Sequence, residues 1–171
     1  MFYVDERRVG AGDAASLFIW RLCMRRVLPH SMRIAREPQA LRRLNILFVD
    51  NDPHIHDKMQ QALGGGFAVK GVSSVTEAKE VLNAFLPDIL ISEVVVGLEN
   101  GLELCHYVRS RSSLHHLPIM LLTSLTTLQD KIAGFDAGTD DYVVKPFDAH
   151  HLQARIRLLS RIKRLERRTS V

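Results

Sequence analysis

Residues 45–53 read NILFVDNDP, and this stretch decides the fold class. Its apolar run, residues 46–49, has the length and composition of a strand that is buried on both faces of a sheet. Asp52 and Pro53 then mark a helix start, because aspartate caps the free amides of a first turn and proline lacks only an N–H that this position does not need. A buried strand that leads directly into a helix predicts a βαβ unit and a parallel sheet.

Four further pairs of strand and helix follow. The predicted strands cover residues 45–50, 67–72, 88–92, 118–124 and 142–145, and the predicted helices cover residues 53–63, 74–85, 101–111, 127–138 and 147–168. This alternation predicts a doubly wound α/β fold, a five-stranded parallel sheet with helices on both faces, in the flavodoxin-like order 2-1-3-4-5. The three glycines 64–66 follow a helix rather than a strand, so we interpret them as a turn and not as a phosphate loop.

Charge is distributed unevenly along the 171 residues. Residues 1–44 hold nine arginines and four acidic residues, and residues 152–171 hold seven basic residues and one acidic residue. Residues 45–151 instead hold fourteen acidic and seven basic residues. An acidic middle argues against nucleic-acid binding by the main domain and for a site that gathers carboxylates, whereas basic ends are usually solvated.

These shifts divide the chain into a basic N-terminal extension (1–44), a main domain (45–163) and the basic C-terminal end of the last helix (164–171). Within the extension, DAASLFIWRLCMRRVLPHSM (13–32) mixes large apolar residues with arginines. It has three interpretations: a membrane-surface or partner helix, a targeting segment, or a weakly ordered extension upstream of a start at Met32. We favour the last.

Cysteine content and hydropathy predict a cytoplasmic protein. The two cysteines, Cys23 and Cys105, have neither the pattern of a disulfide framework nor metal-ligand spacing, which fits a reducing compartment. No stretch approaches the roughly 18 unbroken apolar residues of a membrane span.

Polar residues follow four of the five predicted strands. Asp50 and Asn51 come after the first strand, Glu93 after the third, Thr123 at the end of the fourth and Lys145 at the end of the fifth. Ligands of such sheets bind beyond the carboxyl ends of the strands, where the strand order reverses. Carboxylate and carbonyl oxygens suit Mg²⁺, and threonine and lysine neutralise phosphoryl oxygens, so the sequence predicts a polar site for both around Glu93.

Four segments, ILFVDNDP (46–53), PDILISEVVVGLENGLEL (87–104), PIMLLTS (118–124) and AGFDAGTDDYVVKPF (133–147), together resemble the receiver domain of two-component response regulators. The resemblance covers residues 45–163. It implies that an aspartate at the end of the third strand accepts a phosphoryl group from a histidine kinase, and that an acidic pair after the first strand holds Mg²⁺.

Carried over by position, the resemblance places the phosphoacceptor at Glu93 and the acidic pair at Asp50 and Asn51. Thr123 and Lys145 take the positions that contact the phosphoryl group. Tyr142 takes the position of the aromatic switch, and Pro146 that of a cis proline. The face of helix four, strand five and helix five is implied to bind a sensor kinase, another protein partner or a second copy of the chain.

The site departs from the family pattern at its centre. Glu93 replaces the acceptor aspartate, and its extra methylene moves the carboxylate outward by about 1.5 Å. A displacement near 1 Å costs a positioned reaction about 10²-fold. Asn51 replaces one acid of the pair, and because hard-cation affinity follows ligand charge, any Mg²⁺ binding is expected to be weak. Gly97 and Asn100 replace a usual proline and aspartate in the following loop.

Two functions of different classes remain. The favoured one is a receiver-like module in phosphorelay signalling that acts by protein–protein interaction, without conventional aspartate phosphorylation or enzyme activity. In it, a Lys145–Glu93 pair either imitates the phosphorylated state or merely neutralises the lysine. The alternative is a working phosphoacceptor that uses Mg²⁺ and a histidine-kinase donor. A flavin- or nucleotide-binding protein is disfavoured, because carboxylates and not a phosphate loop follow the first strand. We expect no output domain after the last helix.

Overall fold

The computed structural model describes residues 43–169, with side chains described as far as Glu166. Five parallel strands form one sheet in the spatial order β2-β1-β3-β4-β5. The strands are β1 (Leu44–Val49), β2 (Phe67–Val72), β3 (Ile89–Ser92), β4 (Ile119–Thr123) and β5 (Asp141–Val144). The helices are α1 (Pro53–Leu63), α2 (Val75–Ala84), α3 (Gly101–Arg109), α4 (Leu128–Asp136) and α5 (Ala149–Thr169). The predicted fold class and strand order are confirmed.

The three interpretations of residues 13–32 concern a part of the chain that lies outside the described residues. Residues 164–169 continue α5. Among the described helices, none is both long enough and apolar enough to cross a membrane.

The sheet is covered on both faces because alternate residues of its strands point in opposite directions. Leu47 and Val49 of β1 belong to one apolar cluster, together with residues of α2 and α3 such as Leu82 and Leu104. Ile46 and Phe48 belong to a second cluster, which also contains Met59 and Leu63 of α1 and Leu152 and Ile156 of α5. The continuous apolar run of β1 is thus explained by burial on both sides.

The helix starts follow the local signals in the sequence. The side chain of Asp52 accepts a hydrogen bond from the amide of His54, and Pro53 opens α1. Thr127 and Asp130 form a reciprocal capping box at the start of α4. These caps satisfy amides that have no partner inside the helix.

One element was not predicted from the sequence. Residues Val95–Val96 and Glu99–Asn100 pair as a two-stranded antiparallel ribbon between β3 and α3. Gly97 makes the turn of this ribbon with a φ of 62°, a conformation that favours glycine. The ribbon therefore begins two residues after Glu93.

Arg109, the last residue of α3, binds the loops at the amino ends of β4 and β5, whereas Glu93 follows the carboxyl end of β3. Its Nε donates to the carbonyl of Gly138 (2.8 Å), and its Nη1 donates to the carbonyls of His115 (2.9 Å) and Leu117 (2.8 Å). Its Nη2 donates to the carboxylate of Asp140 (2.7 Å). One planar guanidinium thus organises the loops that precede β4 and β5.

Asp140 extends this network to α5. Its Oδ2 also accepts a hydrogen bond from the amide of Ile119 (2.8 Å), and its Oδ1 lies 2.9 Å from Nζ of Lys163. The C-terminal half of α5 is therefore attached to the start of β4 through a carboxylate.

We expect Arg109→Met to lower the free energy of unfolding by about 3 kcal/mol, because three carbonyls lose their donor and the half-buried carboxylate of Asp140 loses one of its partners. Urea unfolding would measure the loss. The exposed Arg161 provides the matched control, since Arg161→Met is expected to change stability by less than about 0.5 kcal/mol. Equal effects of the two substitutions would contradict this role for Arg109.

Candidate functional site

The site is centred on the ammonium group of Lys145, which lies between two carboxylates. Its Nζ is 2.6 Å from Oδ2 of Asp50 and 2.7 Å from Oε2 of Glu93. The three side chains are 12%, 2% and 9% exposed, so all three charges are largely removed from water. Buried charges are tolerated when they are paired, and here one cation serves two anions.

The sheet register brings these residues together. Val49 pairs with Ser92 across β1 and β3, so Asp50 and Glu93 leave neighbouring strands side by side. Lys145 follows β5 and returns to the same rim, where its amide donates to the carbonyl of Thr123 (2.8 Å). The Lys145–Pro146 peptide bond is cis.

The other carboxylate oxygens of the site are also occupied. Oδ1 of Asp50 accepts a hydrogen bond from the amide of Asp52 (2.9 Å), and Oε1 of Glu93 accepts one from the amide of Val94 (2.7 Å). All four oxygens of the two acids therefore have donors. Glu93 contacts both the ammonium of Lys145 and the amide of Val94, so both of its oxygens are bound by groups of the chain itself.

The charge state of Lys145 follows from these contacts. Partial burial alone would lower the pKa of its ammonium, but hydrogen bonds to Asp50 and then to Glu93 outweigh burial. The net pKa of Lys145 lies above its ordinary value of 10.5. The lysine is thus held as a cation throughout the physiological range.

Thr123 and Tyr142 both contact the loop that follows β4. Oγ1 of Thr123 accepts a hydrogen bond from the amide of Leu125 (3.2 Å), and the hydroxyl of Tyr142 donates to the carbonyl of the same residue (3.0 Å). Burial raises the pKa of the Tyr142 phenol, with the charges of Asp130 and Glu93 adding to the effect. Both side chains engage Leu125, and Thr123 is fully buried.

Asn51 lies at the exposed edge of the site. Its side chain is placed beside Gly97, where a Cβ would lie 3.9 Å from it. The structure thus brings Asp50, Glu93 and Lys145 into direct contact, with Thr123 and Tyr142 engaged at the adjacent loop. Asn51 stands outside this contact.

His56 contributes to the site and was missed at the level of sequence. Its Nε2 lies 2.6 Å from the carbonyl oxygen of Asp50. The centroid of its ring lies 5.0 Å from that of the Phe48 ring, in an edge-to-face arrangement. A Cβ at Gly71 would clash with the imidazole, so this glycine provides the room for it. No sequence pattern marks this contact, because it joins residues that lie six apart across the turn into α1.

A divalent cation fits this arrangement poorly. Coordination by Asp50 and Glu93 would compete with Lys145 for one oxygen of each acid, and Asn51 adds a carbonyl without charge. Within residues 43–166, no group of three histidine, cysteine or acidic side chains could hold a metal. The ammonium of Lys145 instead neutralises part of the charge of Asp50 and Glu93.

Comparison with known families matches residues 46–157 to the response regulator receiver domain. The chain belongs to this family. It is 36% identical over 124 residues to the response regulator MprA of Mycobacterium ulcerans, which covers 72% of this chain and 53% of that protein. It is 33% identical over 117 residues to the DNA-binding dual master transcriptional regulator RpaA of Synechocystis, covering 68% of this chain and 48% of RpaA.

The fold agrees with solved receiver domains. The BeF₃-activated N-terminal receiver domain of Klebsiella pneumoniae RstA superimposes with a TM-score of 0.63 at 30% identity, over 68% of this chain and 98% of that one. The chain spans about half the length of the curated relatives that it matches. It is a receiver module of two-component signal transduction.

We expect Lys145→Met to lower the free energy of unfolding at pH 7 by about 3 kcal/mol, because two buried carboxylates lose their cation. Because the pKa of Lys145 is higher in the folded than in the unfolded protein, its contribution to stability is complete at pH values below the unfolded-state pKa. That contribution is lost as the pH rises through the folded-state pKa. The difference between wild type and variant should therefore persist up to about pH 10 and fall above it.

Urea unfolding between pH 7 and pH 11 would measure this trend, with Lys58→Met, at an exposed lysine, as the control. A difference between wild type and Lys145→Met that has already vanished at pH 9 would show that the ammonium is not held by the two carboxylates.

Proposed function

We propose that this receiver module acts by protein–protein interaction and without conventional aspartate phosphorylation. The observation that carries the proposal is the 2.7 Å contact between Oε2 of Glu93 and Nζ of Lys145. In the family, the corresponding lysine contacts the phosphoryl group. Here a carboxylate that is part of the chain already supplies the anion for it.

The chemistry of Glu93 supports this proposal. A phosphorylated aspartate would present about two negative charges beyond the end of its side chain, whereas glutamate presents one at an intermediate reach. The contact with Lys145 therefore imitates part of the phosphorylated state. Because the pair is buried and hydrogen-bonded, it persists without a kinase, and the module is held in one signalling state.

Thr123 and Lys145 remain in place, which keeps phosphoacceptance as the competing function. Phosphotransfer to Glu93 would require its carboxylate to leave both Lys145 and the Val94 amide, in a site that disfavours a divalent cation. The departures at residues 51 and 93 thus act in the same direction, against transfer.

Incubation with acetyl phosphate and Mg²⁺, followed by intact mass measurement, separates the two functions. We expect no adduct on the wild type, weak labelling of Glu93→Asp, and labelling at least about tenfold stronger when Asn51→Asp is added, because correct reach and metal charge are both needed. Glu93→Gln is the blank. An adduct of one phosphoryl group on the wild type that is lost in Glu93→Gln would establish the phosphoacceptor instead.

The α4–β5–α5 face is the surface that we propose for a protein partner, either a sensor kinase, another protein or a second copy of the chain. Six large apolar side chains on α4 and α5 are exposed: Leu128, Ile132, Phe135, Leu158, Ile162 and Leu165. On each helix they recur at intervals of four and three residues, so they form a stripe on one side. Stripes of this kind mark interaction sites.

The charges of the same face support a specific partner. Nη1 of Arg155 binds both oxygens of Asp141 (2.8 and 2.9 Å), which links α5 to β5 beside the α5 stripe. An open groove of about 530 Å³ runs along this junction and is lined by Leu158 and Ile162. The groove offers apolar contact flanked by charged groups, as interface cores commonly do.

Of these partners, a second copy gives the most direct test. We expect wild-type chain to self-associate in sedimentation velocity and Leu158→Glu to shift it to the monomer, because a buried charge opposes association. Leu86→Glu, at another exposed apolar residue, in the loop after α2, is the control. If wild type and Leu158→Glu sediment alike at every concentration, the face does not bind a second copy.

A further inference from the structure

Glu99 joins the ribbon behind the acceptor position to α2. Its Oε2 accepts a hydrogen bond from the amide of Val75 (2.7 Å). Its Oε1 accepts hydrogen bonds from the hydroxyl (2.8 Å) and the amide (3.2 Å) of Thr76. One carboxylate in the loop after Glu93 is thus bound by three donors that lie 23 and 24 residues earlier in the chain.

The contact is electrostatically favourable. The donors belong to the first turn of α2, where free amides and the helix dipole attract an anion. The hydroxyl of Thr76 and then the amide of Val75 lower the pKa of Glu99, and the charge of Lys79 adds to the effect. Ser74 caps α2 separately by accepting from the amide of Glu77 (3.1 Å). Glu99 is therefore additional to an existing cap.

Burial of apolar side chains and a backbone hydrogen bond hold the rest of the ribbon in place. Val94 and Val96 are buried, and the amide of Gly101 donates to the carbonyl of Val94 (2.7 Å). A Cβ at Gly101 would clash with the carbonyl of Glu93, so this close return of the chain requires glycine. The ribbon tip is exposed, with Leu98 fully accessible. Glu99 is the residue that links this exposed tip to α2.

We propose that Glu99 is a positioning residue that clamps the ribbon to α2, so that the segment behind the acceptor position keeps one conformation whatever the state of residue 93. The loop that carries Glu93 is then set from both ends, by Lys145 on one side and by the first turn of α2 on the other. The apolar tip at Leu98 is displayed in a constant position beside the site. This inference holds for either function of Glu93, since it depends on α2 and not on phosphate.

Amide hydrogen exchange of the full-length chain, read by NMR, tests the clamp. Glu99→Ala should raise the exchange rates of Val75, Thr76 and Gly101 by at least about tenfold, because charge-assisted hydrogen bonds are lost. Amides of β3 and β4 should keep their rates to within about twofold. Glu99→Gln, which preserves size and one acceptor oxygen, should fall between wild type and Glu99→Ala.

Two further variants complete the design. Thr76→Val removes one donor and should raise the exchange of Gly101 in the same direction as Glu99→Gln. Glu103→Gln removes a matched charge from the exposed surface of α3 and should leave all three amides unchanged. If Glu99→Ala accelerates Val75 and Thr76 but not Gly101, Glu99 is only a second cap for α2 and the proposal is wrong. Unchanged rates at all three amides would also overturn it.

Discussion

The rest of the structure depends on the ammonium of Lys145 lying between the carboxylates of Asp50 and Glu93. Three charged groups, each largely buried, arrive from the ends of β1, β3 and β5 and can be tolerated only as a set. The strand order places β1 and β3 next to one another, and the backbone contact between Lys145 and Thr123 joins the β5 end to β4. The sheet therefore creates the site, and the ion pairs in turn hold the rim of the sheet together.

The extra methylene of Glu93 determines what this rim can do. It lets one carboxylate reach Lys145 and the Val94 amide together, which leaves the lysine neutralised by the chain itself. The same contacts compete with a divalent cation, and Asn51 supplies no charge to offset them. These contacts support the proposal that the module signals by contact. The apolar α4–β5–α5 face and the ribbon, if clamped as proposed, would provide surfaces whose arrangement does not require a phosphoryl group.

Much of the fold was predictable because its signals are local. The apolar run of β1, the Asp52–Pro53 helix start and the alternation of strands and helices depend on neighbouring residues, and the structure reproduces them. The pairing of Glu93 with Lys145 was also anticipated, from the strand ends together with the family resemblance. The share that Asp50 takes of the same ammonium was not, because it depends on side-chain reach across the sheet. The contact of Glu99 with α2 and the contacts of Arg109 with Gly138 and Asp140 were missed for a similar reason, since these partners lie 23 to 31 residues away.

The sequence by itself determined the α/β class, the strand order, the family resemblance and the set of polar residues at the strand ends. Periodicity, caps and spacing carry that information because burial and helix geometry act on nearby residues. Only the tertiary structure decided which oxygen meets which donor: that Asp50 shares the ammonium of Lys145 with Glu93, that Asn51 stays outside, and that Glu99 binds α2. Those outcomes depend on differences of a few tenths of an ångström in the distances between residues remote in sequence. These distances are fixed only when the whole sheet and its helices pack.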